Sequence, residues 1–331
     1  MFKHHSITGI TLESAGLVAL ANLKTIARRT VLTGTASLLD ILILAPGIHT
    51  QQNAADQNGG EYPTCGAMTT GYVFRVENQA MVHYLQGVGR PGCLTVVRVS
   101  SPGRGKAKKE EIIKRTGVFP KHNGIIATTC YLTACSLTIL VVVLLGVIRD
   151  WWAIGIVGTL MLARLINAII IRRRAQQGWK GALEPGVKGD LLVLLSQDRW
   201  VRIQGWVDDL KAVTSGQWLR DMTTVEDSFA SFASLLVFIS AALAGNSSTV
   251  GSLLIAALML MSAGLLGLCN TYTPGLKMYN RSVYISDPPR QYHRRLDMVN
   301  ELIAEMDRDD WAIGMGLILA PSREKARAAQ V

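Results

Sequence analysis

Two long stretches of this 331-residue chain contain no Asp, Glu, Lys or Arg: residues 122–148 and 228–276. A helix that crosses the hydrocarbon core of a bilayer needs about 20 predominantly apolar residues. The first stretch can supply one such helix. The second can supply two, divided at Gly245 and the polar residues that follow it. The distribution of charge therefore predicts helices that span a membrane.

Four spans are predicted, over residues 125–148, 151–171, 229–244 and 249–269, and Arg164 is the one charged residue within them. Composition agrees, because 18% of the residues are charged, whereas soluble domains carry about 25%. The alternative is a pair of buried helical hairpins in a soluble protein. It is disfavoured because helices this apolar lack the charged face that water requires.

The positions of Lys and Arg predict the orientation of these spans. Residues 104–121, 172–227 and 270–331 contain twenty-five of them, and the two short loops between paired spans contain only Arg149. Cytosolic loops of membrane proteins are enriched in Lys and Arg, so the three basic segments are predicted to be cytosolic. The net charge of +10 then reflects topology and contact with the lipid bilayer, and no nucleic-acid partner is expected.

The predicted division has five parts: a poorly structured N-terminal region (residues 1–123), a transmembrane hairpin (124–171), a cytosolic segment (172–227), a second transmembrane hairpin (228–269) and a cytosolic tail (270–331). Within the first part, apolar residues 10–23 and 31–44 are expected to form interfacial or partly inserted helices. A β-hairpin over residues 191–204 and a helix after it are expected in the cytosolic segment. Residues 296–306 have the apolar stripe of an amphipathic helix.

The fold class predicted from these patterns is an all-α membrane protein. It has four transmembrane helices arranged as two hairpins, a small cytosolic α+β segment and a cytosolic helical tail.

Motifs of enzymes and cofactor sites are weak. Residues 87–92 match G-x-G-x-x-G, but residues 93–99 have the pattern of a strand, whereas the dinucleotide motif must open a helix. The six histidines have no metal-ligand spacing. The sequence therefore predicts no catalytic residue, no cofactor and no metal, and the protein is not expected to be an enzyme.

Arg164 and Asn167 form the candidate intramembrane polar site. Arg164 lies eight residues before Arg172, about 12 Å along the helix from its basic end, and Asn167 shares its face. An ionisable residue at that depth is a candidate functional site. The favoured interpretation is that Arg164 extends its side chain to the interface, with Glu226 or Asp227 as its ion-pair partner.

Several segments carry a resemblance to other sequences: residues 189–200 (GDLLVLLSQDRW), 208–214 (DDLKAVT), 241–268 and 292–299 (YHRRLDMV). They resemble uncharacterised multi-pass integral membrane proteins of filamentous fungi, over residues 125–319. The resemblance implies a membrane protein and brings no activity or catalytic residue with it.

The expected function is that of a non-enzymatic organiser or accessory subunit in a membrane, with residues 190–221 as the segment that contacts a protein partner. The alternative is a small transporter or channel that uses Arg164 and Asn167 for an anionic or polar solute. The sequence predicts a multi-pass location without distinguishing plasma membrane from endomembrane, and it leaves the oligomeric state open.

Overall fold

The computed structural model describes residues 18–50, 53–101 and 124–319. The chain divides into two compact units. The helical unit comprises residues 1–57, 102–178 and 218–280, and the sheet unit comprises residues 58–101, 179–217 and 281–331.

The described elements, in chain order, are α1 (Thr25–Thr33), the 3-10 turns η1 (Leu38–Leu42) and η2 (Ile48–Thr50), β1 (Thr64–Ala67), β2 (Val73–Arg75), α2 (Gln79–Val88), β3 (Cys93–Ser100), α3 (Ile125–Ile148), α4 (Trp151–Arg174), β4 (Lys188–Leu195), β5 (Arg199–Trp206), α5 (Val207–Thr214), α6 (Thr224–Leu243), η3 (Ala244–Asn246), α7 (Thr249–Thr271), β6 (Gly275–Met278), β7 (Arg281–Gln291), α8 (Arg295–Met306) and α9 (Asp310–Gly314).

Four helices of the helical unit are long and apolar enough to cross a membrane, namely α3, α4, α7 and α6 with its extension to Asn246. The structure thus confirms the four apolar helices that the distribution of charge predicts. Within the unit, α3 packs mainly against α7 and α4 mainly against α6. Each hairpin therefore makes its main helix contacts with the other hairpin.

Helix α6 begins at Thr224, five residues before the predicted start of the third span. A capping box sets this start: the Glu226 amide donates to Thr223 Oγ1 at 3.3 Å, and the Thr223 amide donates to the Glu226 carboxylate at 3.1 Å. Two of the otherwise unpaired amides at the helix N-terminus are satisfied in this way. The prediction stopped at the last charged residue and so missed a helix that begins with charged residues.

The two short loops of the helical unit meet at one end of the bundle. Asp150 caps α4 by accepting a hydrogen bond from the Ala153 amide at 3.0 Å. Its other carboxylate oxygen accepts from the amide and hydroxyl of Ser248, at 2.8 and 2.6 Å. Gly251 lies so close that a Cβ there would be 2.3 Å from that oxygen. Asp150 therefore joins the tips of both hairpins.

A seven-stranded mixed sheet, of order β2-β1-β4-β5-β3-β7-β6, corrects the predicted all-α class. Strands β1 and β2 and helix α2 lie within residues 1–123, where a poorly structured region was expected, whereas β3 confirms the strand pattern of residues 93–99. The tail, expected to be helical, contributes strands β6 and β7. The reason is non-local pairing: β1 pairs with β4, and β3 pairs in parallel with β5. Partners this distant leave no signal in a local pattern.

The sheet unit contains the predicted hairpin at its centre. Strands β4 and β5 pair in antiparallel register, and Gln197 and Asp198 in the turn both have positive φ. Leu192 and Trp200 face an apolar cluster formed with α8 and α9, whose Trp311 is fully buried. On the opposite face, Leu210 of α5 packs onto the backbone of Gly189, where a Cβ would be 2.7 Å away. The stripe of α8 is thus used in packing against the chain's own sheet.

A buried polar site within the helical bundle

A segment of the chain without α-helix lies inside the helical unit. Residues 38–50 form the two turns η1 and η2 with irregular backbone between them. Ile43, Leu44, Ala45 and Ile48 are at most 1% exposed and belong to the same apolar cluster as the four long helices. We call residues 38–50 the inserted segment. Residues 31–44 were expected to be interfacial or partly inserted, and the structure buries much of them inside the bundle.

Backbone carbonyls of the inserted segment accept hydrogen bonds from polar side chains of the long helices. Thr138 Oγ1 of α3 donates to the carbonyl of Leu42 at 2.5 Å. From α4, Asn167 Nδ2 donates to the carbonyl of Ile48 at 2.9 Å. Irregular backbone at membrane depth is tolerated only where protein or water satisfies its polar groups. These helix side chains provide that satisfaction.

The side chain of Arg164 contacts both the backbone and the side chain of Asp40 in the same segment. Its Nε donates to the carbonyl of Asp40 at 3.1 Å, and its Nη2 lies 3.9 Å from the Asp40 carboxylate. Arg164 is 1% exposed and Asp40 is 4% exposed. The Asp40 carboxylate also accepts from the Tyr131 hydroxyl at 2.6 Å and from the Ser37 amide at 2.7 Å. The four residues form a buried network of an ion pair and hydrogen bonds.

The position along the helices places this network well inside the bundle. Arg164 is ten residues from Arg174, the end of α4, which is about 15 Å along the axis. Thr138 lies near the middle of the 24-residue helix α3. The inserted segment therefore enters the bundle to about half the length of the helices, where Leu42 contacts Thr138. It then turns back toward the basic end of α4, and Ile48 in η2 contacts Asn167.

Two expectations about Arg164 are corrected. Its side chain is buried and bonded within the bundle, so it does not extend to the interface. The carboxylate beside it is Asp40, whereas Glu226 accepts a hydrogen bond from Arg220 at 2.5 Å and lies 3.8 Å from Arg173. Asp227 is exposed. The physical reason is distance: Arg173 is nine residues beyond Arg164, about 13 Å along the helix, so Glu226 lies beside the basic end of α4 and out of reach of Arg164.

Asp40 is the residue of the candidate site that sequence reasoning missed. Its signal was an acidic residue within the apolar stretch 31–44. Ionisable residues buried among membrane helices usually pair with one another. A single Asp and a single Arg in otherwise apolar segments are therefore candidates for a pair, but their separation of 124 residues leaves the match itself to the tertiary structure.

The sheet unit has a second polar cluster, centred on Arg202, in which Arg202 and Asp190 are buried and Glu305 is exposed. The Arg202 guanidinium binds the Asp190 carboxylate through three hydrogen bonds of 2.6–3.0 Å and the Glu305 carboxylate through two of 2.7 Å. Burial opposes the charged form, but the hydrogen bonds to Glu305 and Asp190 outweigh it and raise the pKa of Arg202. The same contact from Arg202 lowers the pKa of Glu305. This cluster fixes α8 to the strands β4 and β5.

Neither cluster has the composition of a metal centre, and no group of three or more His, Cys, Asp or Glu with metal-binding geometry occurs among the described residues. All five cysteines are free. Comparison with protein-family models, curated proteins and solved structures finds no match. The resemblance to fungal membrane proteins stays a prediction. The four apolar helices make the chain compatible with a membrane protein.

Proposed function

We propose that this protein is a multi-pass integral membrane protein with a non-enzymatic role, as an organiser or accessory subunit. In this proposal the helical unit anchors the chain in the bilayer, and the sheet unit lies on the cytosolic side and contacts a protein partner. Strands β4 and β5 are interior strands of the sheet. The partner-binding part of residues 190–221 would therefore be its turn, its helix α5 and the loop after that helix.

One observation carries the proposal: the polar side chains at the candidate site bind the chain's own backbone. Arg164 and Asn167 direct hydrogen bonds at the carbonyls of Asp40 and Ile48, and both are at most 1% exposed. A carrier needs such donors for its solute. An anchor needs them to satisfy irregular backbone within the membrane, which supports the structural role over the transporter.

The first experiment tests this role through ligand-induced stabilisation. Thermal unfolding of the purified protein in nanodiscs is measured with acetate, phosphate, sulfate or gluconate added one at a time. An anion present at ten times its Kd would stabilise the folded state by about 1.4 kcal/mol. We expect no shift that depends on Asn167, and we expect Asn167→Ala to lower the melting temperature in every buffer. A stabilising anion whose effect disappears in a folded Asn167→Ala variant would favour the carrier.

The second experiment tests the proposed orientation. A membrane-impermeant maleimide is applied to intact cells that express Gln177→Cys or Asn246→Cys, two positions that are exposed in the structure. The basic segment after α4 predicts that position 177 is cytosolic and unlabelled, and that position 246 is labelled. The unsubstituted chain with its five free cysteines is the background control. Labelling of both positions in intact cells, or of position 177 alone, contradicts the hairpin topology, whereas labelling of neither position until the cells are permeabilised indicates an internal membrane.

A further inference from the structure

The loop between α4 and β4 exposes an unusual set of apolar side chains. Trp179 is 78% exposed, Leu183 is 65% exposed and Val187 is 46% exposed. All three lie within nine consecutive residues of the sheet unit, which we call the Trp179 loop (residues 179–187). A cluster of large exposed apolar residues in one segment marks an interaction surface more often than single scattered ones do.

The fold of the sheet unit holds this loop in place. Lys211 of α5 donates a hydrogen bond to the carbonyl of Ala182 at 2.9 Å and pairs with Glu184 at 2.5 Å. The Glu184 amide in turn donates to the Asp208 carboxylate at 2.8 Å. Near the start of the loop, Gly216 packs on the carbonyl of Trp179, where a Cβ would be 2.8 Å away. The backbone is anchored, so the apolar side chains are presented outward from a fixed support.

Three lysines and two carboxylates lie in the loop, beside it or in contact with it, so their net charge is positive: Lys180, Lys188, Lys211, Glu184 and Asp208. Lys180 lies beside Trp179, and Lys188 follows Val187. The one acidic residue of the loop, Glu184, is paired with Lys211. Exposed Trp combined with Lys is typical of segments that lie in the headgroup layer, where the indole ring is partly apolar and the ammonium groups attract anionic lipid.

The sequence keeps this loop close to the bilayer. Trp179 is five residues beyond Arg174, the last residue of a helix of spanning length. Even a fully extended connection of five residues covers at most about 18 Å. The arginines at positions 172–174 add positive charge to the same stretch. An anionic lipid surface is therefore the partner that is both within reach and complementary in charge.

We propose that the Trp179 loop is a membrane-contact surface that binds the anionic headgroup layer beside the spanning helices. The inference rests on the proposed membrane location and goes beyond it. It assigns to the sheet unit a lipid-binding surface of its own, formed by Trp179, Leu183 and the flanking lysines.

The test uses a photoreactive residue, p-benzoylphenylalanine, placed singly at three positions of the full chain. Position 179 probes the loop. Position 140 is the positive control, because Leu140 lies within α3 and is 53% exposed. Position 72 is the matched negative control, because Tyr72 is a 69% exposed aromatic residue elsewhere in the sheet unit. The variants are reconstituted in vesicles of phosphatidylcholine and phosphatidylserine that carry a clickable acyl chain.

We expect lipid labelling at positions 140 and 179 and little at position 72. We also expect labelling at position 179 to fall by about fivefold when phosphatidylserine is omitted. This is the change in binding expected when one lysine loses its attraction to anionic lipid. Labelling at 140 together with only background at 179 overturns this inference and leaves the membrane location intact. Absence of label at 140 overturns both. A crosslink from 179 to a protein instead of lipid also overturns the lipid assignment.

Discussion

Removing the charge of Arg164 should destabilise the helical unit strongly, because its carboxylate partner would remain buried. Arg164 Nη2 lies 3.9 Å from Asp40 Oδ2, with both residues at most 4% exposed. At an effective dielectric constant of about 20, two unit charges at this distance attract by about 4 kcal/mol. Breaking one partner of a buried pair typically costs about 3–5 kcal/mol. We therefore expect Arg164→Leu and Asp40→Asn each to cost about 3 kcal/mol.

The double variant separates the ion pair from packing. With both charges removed, no unpaired charge remains, so Arg164→Leu with Asp40→Asn should cost little more than either single variant. The coupling free energy should then be about 2–3 kcal/mol, at the upper end for contacting residues. Equilibrium unfolding in mixed micelles, with increasing SDS and far-UV circular dichroism as the signal, measures each value.

Arg172→Leu is the matched control, because Arg172 is an exposed arginine in the last turn of the same helix. An exposed substitution of this kind should change stability by less than about 0.5 kcal/mol. The reasoning is refuted if Arg164→Leu costs no more than Arg172→Leu, which is the result for a side chain that extends to the interface. It is also refuted if the two single costs add in the double variant to within about 0.5 kcal/mol.

Two further predictions concern a glycine and a carboxylate. Gly251→Ala should destabilise the helical unit by about 1–3 kcal/mol, because the added Cβ would be 2.3 Å from the Asp150 carboxylate. The control is Gly264→Ala on the same helix, where a Cβ has open space. This control should be neutral or stabilising in the same SDS titration. Arg202 lowers the pKa of Glu305 in the folded state below its usual 4.5, so the unfolded state binds the proton more readily. The contact between Arg202 and Glu305 therefore stabilises the folded state above pH 4.5, and this contribution is lost as the pH falls through the pKa of the folded state. The difference in melting temperature between wild type and Glu305→Gln should shrink over that interval, and a difference independent of pH would contradict the assignment.

The long helices of the helical unit could be predicted from sequence because their signal is local. The charge-free stretch before Arg149 and the one after Asp227 each predict helices without reference to any other residue. The hairpin around Gln197 was likewise readable from a short alternating pattern and its turn. The partner of Arg164 could not be predicted, because the partner is set by the segment that fills the space between α3 and α4.

The sequence by itself determined that four helices are apolar over a membrane's width, since the ability of a helix to span a bilayer depends on its own length and composition. Only the tertiary structure decided that residues 38–50 lie inside the bundle, that Asp40 pairs with Arg164, and that strands from residues 64–100 and 275–291 complete a mixed sheet. Each of these depends on groups far apart in the chain: a buried carbonyl or carboxylate must find its partner, and a strand gains its stability from a neighbour that its own residues do not specify.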